Sequence, residues 1–310
     1  MRLINLDGRV ALLTADGAVD LHEATHGQFG PDPQEVFTHW EDLLTWANDP
    51  ALRLAQWVPV AIDPERLRAP VPAPRQVFAV GLNYQAHADE SGFVKPSEPV
   101  VFTKYASSLA GPQTTVALPS AWVDWEVELV VVVGRGGRNI PASAGWARMA
   151  GVCVGQDLSE RRRQHAGPAP QFSLAKSFEG FSPTGPALVT IDELPDPDRL
   201  EISATIDGKT VQHAWTSDMI FPVPELIERL STVVELFPGD LIFTGTPAGV
   251  GAGASPPRYL QPGNVLRSRI ADVGELTQTF TDGGFTDAAA AQDGNAARTP
   301  KHALTAAQGG

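Results

Sequence analysis

Between Asp124 and Gly134 the chain reads Asp-Trp-Glu-Val-Glu-Leu-Val-Val-Val-Val-Gly, and this stretch limits the possible folds more than any other. The run from Glu128 to Val133 is mostly β-branched and predicts a strand, in which successive side chains point to opposite faces. Glu126 and Glu128 then share a face with Val130 and Val132, while Trp125, Val127, Leu129 and Val131 occupy the other. Apolar residues on both faces predict a strand buried on both. Two neighbouring carboxylates in or beside a core repel one another and lose hydration, so such a site calls for protonation, Lys/Arg partners or a cation. A second placement also satisfies the pattern: both acids at the wet start of a strand that turns inward only later.

A further acid favours the first placement. Asp157 closes Val152-Cys153-Val154-Gly155-Gln156-Asp157, another short apolar run, and so falls at a strand end. Three carboxylates with no Cys or His nearby form an oxygen-only donor set, which suits Mg²⁺ or Mn²⁺ better than Zn²⁺.

Composition excludes several classes of function. With 23 basic against 36 acidic residues the formal net charge is −13, which argues against nucleic acid or an anionic membrane as partner. One cysteine, Cys153 in an apolar run, excludes an intrachain disulfide framework. No signal-type apolar segment and no run of membrane-span length occur, so the expectation is a soluble, cytoplasmic protein. The 310 residues allow one large domain, or a small one plus a larger one.

Along the chain, Asp7-Gly8 and Asp16-Gly17 signal hairpin turns between short strands. Residues 33–56 turn helical, with Val36, Trp40, Leu43, Leu44 and Ala47 at helical spacing. Pro59, Pro64, Pro70, Pro72 and Pro74 then exclude a helix or a central strand. That stretch reads as the seam after an N-terminal subdomain, giving residues 1–73 as subdomain and linker and 74–281 as the main body. Residues 282–310 are Ala/Gly/Gln-rich and aperiodic, the composition of a disordered tail.

Within the body, residues 76–80 predict a buried strand and Val100-Val101-Phe102-Thr103-Lys104 another, ending in a lysine. His87 and Glu90, three apart, share a face if they lie on a helical turn. A carboxylate there fixes the imidazole tautomer, an arrangement suited to a general base; a solvated turn with two ordinary surface residues is the alternative. Lys176, flanked by Leu174, Ala175 and Phe178, reads either as a partly desolvated ammonium aimed at an anion or as a surface lysine on a Gly/Pro loop. The run Gly134–Asn139 lacks the third glycine of a dinucleotide loop, and Pro141 intrudes where a helix would start. Residues 200–215 predict a hairpin at Asp207-Gly208, and residues 223–236 a helix with Leu226, Ile227, Leu230, Val233 and Val234 inward. The following Gly245-Thr246-Pro247-Ala248-Gly249-Val250-Gly251 offers backbone N–H groups to a small carboxylate.

Six blocks in one order, GLNYQAHADE, PVVFTKYASSLAGP, DWEVELVVVVG, GQDLSER, LAKSFEGFSPTGP and FPGDLIFTGTPAGVG, resemble the fumarylacetoacetate hydrolase family over roughly residues 74–280. The resemblance implies an α+β, mostly β fold: a mixed β-sandwich roll with a small N-terminal α/β subdomain, usually homodimeric. It implies Mg²⁺ or Mn²⁺ on Glu126, Glu128 and Asp157, and a small 2-oxo or 2,4-dioxo acid as substrate. His87 and Glu90 match the family's water-activating pair, Lys176 the lysine that contacts substrate oxygens, and Gln164 a water-orienting glutamine. Thr246 matches the residue that receives the substrate carboxylate, with Arg161 an alternative anchor; Tyr84 and Lys104 complete the substrate-binding candidates. Leu82 departs from relatives that carry a basic residue there, which bears on the substrate. The implied reaction is metal-dependent C–C hydrolysis of an acylpyruvate- or fumarylpyruvate-type 2,4-dioxo acid, releasing pyruvate or a related oxo acid and a carboxylic acid. Decarboxylation or isomerisation of an oxaloacetate-type 2-oxo acid is the alternative. A non-enzymatic metal-binding scaffold would leave His87, Glu90 and Lys176 without a use.

Overall fold

The acidic strand runs from Val127 to Val133 with every residue buried, inside an 11-stranded sheet. Its two faces divide as the alternation predicts. Trp125, Val127, Leu129, Val131 and Val133 pack into one core with Ile202, Leu266 and Phe280, and Val130 and Val132 into another with Val36, Trp40 and Leu43. The computed structural model describes residues 1–49, 57–90, 92 and 94–284.

On one side the acidic strand pairs antiparallel with Met149–Gln156. On the other it pairs with Leu241–Phe243, but only from Val130 to Val132. Beyond these lie Val77–Gly81, parallel to Leu241–Phe243, and then Val100–Thr103 at the sheet edge. The opposite wing is Ser182–Val189 followed by the N-terminal meander Arg2–Leu6, Arg9–Thr14 and Gly17–Asp20. Arg2 and Leu3 pair with Val189 and Leu188, so the meander extends the main sheet. The proline-rich stretch contributes a 3₁₀ turn, Pro64–Arg66, and a two-residue strand, Leu67–Arg68, against Asn5 and Leu6. A second, five-stranded sheet covers one face, in the order Lys209–Trp215, Glu201–Ile206, Val265–Ile270, Gly274–Asp282, Gln113–Leu118. The chain is therefore α+β and mostly β, with two mixed sheets.

One strand was not anticipated and two helical expectations need correction. Ser182–Val189 is a buried strand despite Pro183 and Pro186; its register against Met149–Gln156 is interrupted, and Pro183 sits beside a short parallel strand, Leu109–Ala110. A residue without an N–H is tolerated where the ladder breaks. The region from Glu35 begins as a 3₁₀ turn before the helix Trp40–Ala47, and its expected continuation over 50–56 lies outside the described residues. The helix Val223–Val233 buries Val223, Leu226, Ile227, Leu230 and Ser231, whereas Val233 is 75% exposed. Beyond Val233 the chain becomes extended, and Leu236 exchanges backbone hydrogen bonds with Gly137. Leu230→Ala is therefore expected to cost about 2–5 kcal/mol of stability and Val233→Ala only about 0.5 kcal/mol; equal shifts in urea midpoint would refute this assignment of the helix faces. Of the expected tail, Asp282 ends a strand and residues 285–310 lie outside the described residues. No helix among the described residues is long and apolar enough to cross a membrane.

Candidate active site

At its start the acidic strand leaves the main ladder. Val123–Asp124 pairs instead with Ser159–Glu160, and the Asp157 N–H donates to the Glu126 carbonyl at 2.9 Å. This crossing brings Asp157 against the strand. Glu126, Glu128 and Asp157 each offer a carboxylate oxygen within 4.8 Å of the others, and all three are buried. Of the two placements open to the acids, the interior one is observed.

Three basic side chains face them. Lys176, on the 3₁₀ turn Leu174–Lys176, places Nζ 2.5 Å from Glu126 Oε2 and 2.6 Å from Asp157 Oδ2. Lys104 Nζ lies 2.5 Å from Asp157 Oδ1 and donates to the Lys176 carbonyl. Arg161 reaches Asp124 at 2.8 Å and Glu126 at 2.7 Å, and donates to Gln164 Oε1 at 3.0 Å. Burial opposes ionisation of Glu126, but Lys176 and Arg161 outweigh it and bring its pKa to about 2. Lys176 is held charged in the same way, burial being overcome by Asp157 and Glu126, whereas for Lys104 burial prevails and lowers the pKa. Glu128 has no ion-pair partner among these three. Burial, then Asp157 and Glu126, raise its pKa well above the carboxylate range. Four carboxyl groups, Asp124, Glu126, Glu128 and Asp157, thus face three basic side chains. A divalent cation would favour the ionised form of Glu128 and would find an oxygen-only donor set, so the residues present fit Mg²⁺ or Mn²⁺.

The glycine-rich turn is committed elsewhere than the sequence suggests. Its N–H groups bind the protein's own carboxylates: Gly245 to Glu128 at 2.8 Å, Gly249 to Glu90 at 2.9 and 3.1 Å, and Gly251 to Asp124 at 2.7 Å. Such close approach needs glycine. A Cβ on Gly249, where φ is +104°, would lie 2.0 Å from the Val211 carbonyl oxygen, and one on Gly251 2.0 Å from that of Arg258. Glu90 also holds His87, with Nδ1 2.8 Å from Oε1 on the helix Gln85–Glu90. His87 is buried and near enough to Glu126 for its charge to lower the carboxylate's pKa. The alternative of a solvated turn is excluded.

The other candidates need separate statements. Lys104 has no exposed side-chain surface and pairs with Asp157. Arg161 lies between Asp124 and Glu126 and pairs with both. The Thr246 hydroxyl donates to the Val127 carbonyl at 2.9 Å and accepts from Gln212 at 2.8 Å, so it too is already engaged. Gln164 is buried and bonded to Arg161. Tyr84 is buried with no hydrogen-bond partner for its hydroxyl; burial, then the Glu128 carboxylate, raise its pKa. A buried, unpaired donor of this kind suits an oxygen-rich ligand. Asp124, absent from the sequence-based set, continues the same alternation two residues before Glu126.

Comparison with known proteins agrees with this geometry. The family model described as fumarylacetoacetate (FAA) hydrolase C-terminal matches residues 76–281. The mitochondrial oxaloacetate tautomerase FAHD2A of Homo sapiens is 43% identical over 210 residues, 67% of this chain and 67% of that protein. A solved structure from Mycobacterium smegmatis, provisionally designated HpcE, is 60% identical with a TM-score of 0.86, covering 91% of this chain and 99% of the other. The maleylpyruvate hydrolase of Sphingobium sp. SYK-6, solved with manganese(II) and pyruvate, is 29% identical with a TM-score of 0.74, covering 91% and 100%. Sequence blocks, fold and acid cluster converge on one conclusion: the chain belongs to the fumarylacetoacetate hydrolase family.

Proposed function

We propose that this chain is a divalent-cation-dependent enzyme that interconverts the keto and enol forms of a short 2-oxo dicarboxylic acid of the oxaloacetate type. The observation that carries the reaction class is the His87–Glu90 pair beside the acid cluster. With Glu90 accepting from Nδ1–H, the Nε2 lone pair of His87 is free to take a proton. In this reading His87 removes a proton from the carbon next to the substrate's ketone and returns one to the ketone oxygen, so the bond shift is balanced within one substrate molecule. Lys176 and the Tyr84 hydroxyl orient the substrate's oxygens, and burial of the cluster keeps bulk water from competing. A cation on Glu126, Glu128 and Asp157 supplies Lewis-acid chemistry at the oxo acid. The choice of substrate is supported by the 43% identity to oxaloacetate tautomerases.

The second reading, C–C hydrolysis of an acylpyruvate, keeps the same residues and gives His87 a water proton instead. The likeness to a maleylpyruvate hydrolase with pyruvate favours it. One assay decides. Purified protein with Mg²⁺ or Mn²⁺ is given the enol of oxaloacetate, followed by loss of its ultraviolet absorbance, and in parallel a panel of acylpyruvates scored for pyruvate and free carboxylic acid. Accelerated ketonisation without cleavage supports the first reading. Acylpyruvate cleavage without accelerated ketonisation replaces it with the second.

A further inference from the structure

The acid cluster depends on a piece of backbone that has a strand neighbour on one side only, Met149–Gln156. Pairing with Leu241–Phe243 stops at Val130, so the peptide groups around Glu126 and Val127 must find other partners or remain buried and unbonded. Two glutamines supply them. Gln212 Oε1 accepts from the Val127 N–H at 3.0 Å, and Gln156 Oε1 from the Glu126 N–H at 2.9 Å. Each glutamine is itself pinned. Gln212 Nε2 donates to Thr246 Oγ1 and to the Pro247 carbonyl, both at 2.8 Å, and Gln156 Nε2 donates to Ser268 Oγ at 2.8 Å. Thr246 closes the circuit by donating to the Val127 carbonyl at 2.9 Å. All four side chains are buried.

Gln212 and Ser268 belong to the second sheet, on Lys209–Trp215 and Val265–Ile270. Polar side chains therefore cross the apolar core between the sheets and end on the three consecutive peptide groups that direct the side chains of Glu126 and Glu128. An apolar pair of the same shape would pack there without the demand for complete hydrogen bonding. We propose that Gln212 and Gln156 are positioning residues that fix the splay of Glu126 and Glu128, and that the second sheet thereby sets the geometry of the cation site. The inference rests on the reading of Glu126, Glu128 and Asp157 as cation ligands.

The test is Mn²⁺ binding to the purified protein, by calorimetry and by the electron paramagnetic resonance spectrum of the bound ion. Gln212→Met keeps the volume and removes the hydrogen bonds. Its control is Gln278→Met, an equally buried glutamine of the same sheet whose Nε2 donates to the Pro112 carbonyl, away from the acid cluster. Gln212→Met should weaken Mn²⁺ binding by about 10–100-fold, the range for loss of an orienting partner, and change the spectrum of the bound ion. Gln278→Met should lower the melting temperature and leave both unchanged. Thr246→Val and Ser268→Ala, which each delete one hydroxyl, carry the same expectation if Gln212→Met fails to fold. Unchanged affinity and spectrum in the brace variants, or an equal loss in the control, would overturn the proposal while leaving the ligand assignment intact. Failure of the unmodified protein to bind Mn²⁺ would instead remove the ligand reading and this inference with it.

Discussion

His87→Ala is expected to lower turnover by about 10²–10⁴-fold, the usual cost of removing a general base, with Mn²⁺ affinity unchanged. The histidine is braced by Glu90 at 2.8 Å, and Glu90 is in turn bound by Gly249, so the imidazole is held in one orientation. His87 makes no contact that places it among the oxygen ligands, which is why metal binding should survive. Rates measured at saturating oxaloacetate enol and saturating Mg²⁺ give the comparison. A fall of similar size in Mn²⁺ affinity would make the residue a part of the cation site; undiminished turnover would move the proton transfer to another group.

Glu128→Gln should abolish cation binding and leave the cation-free protein at least as stable. Burial and two neighbouring carboxylates disfavour the ionised form of Glu128, and an amide has the same shape, still accepts from Gly245 N–H and carries no charge to desolvate. Loss of a direct ligand should exceed the roughly 10–100-fold cost of losing an orienting partner. Calorimetric titration with Mn²⁺ beside a thermal melt reads both effects. Retained affinity would take Glu128 out of the ligand set. A melting temperature several degrees lower would mean that its carboxyl is bonded in a way an amide cannot replace.

Much of this arrangement could be read from local sequence. The acidic strand announced itself through an unbroken β-branched run, and the turns through Asp7-Gly8 and Asp207-Gly208, all four at positive φ. The face shared by Glu126 and Glu128 and the end position of Asp157 follow from strand periodicity, whereas the i,i+3 spacing of His87 and Glu90 allowed their pairing but left a solvated turn equally open. What could not be read depends on contacts between distant segments. Nothing around Lys104 indicates that it meets Asp157, 53 residues on, and nothing in the glycine-rich turn indicates that Glu90, Glu128 and Asp124 occupy its N–H groups. Ser182–Val189 escaped for a different reason: its two prolines contradict the strand pattern, and only the broken ladder around them makes room. Asp124 was accessible by extending the alternation one step and checking for a third acid on the face.

The charge inventory around Glu126 has a kinetic consequence. Ionising Glu128 as well as Asp124, Glu126 and Asp157 would leave the cluster one unit negative beside its three basic groups, and burial with the neighbouring acids holds that carboxyl toward its neutral form while no cation is bound. A divalent cation bound to the ionised cluster would bring the sum to one unit positive. A dianionic oxo acid, the substrate proposed above, would then meet a positive site where there had been a neutral one. On that proposal the cation is expected to enter before the acid.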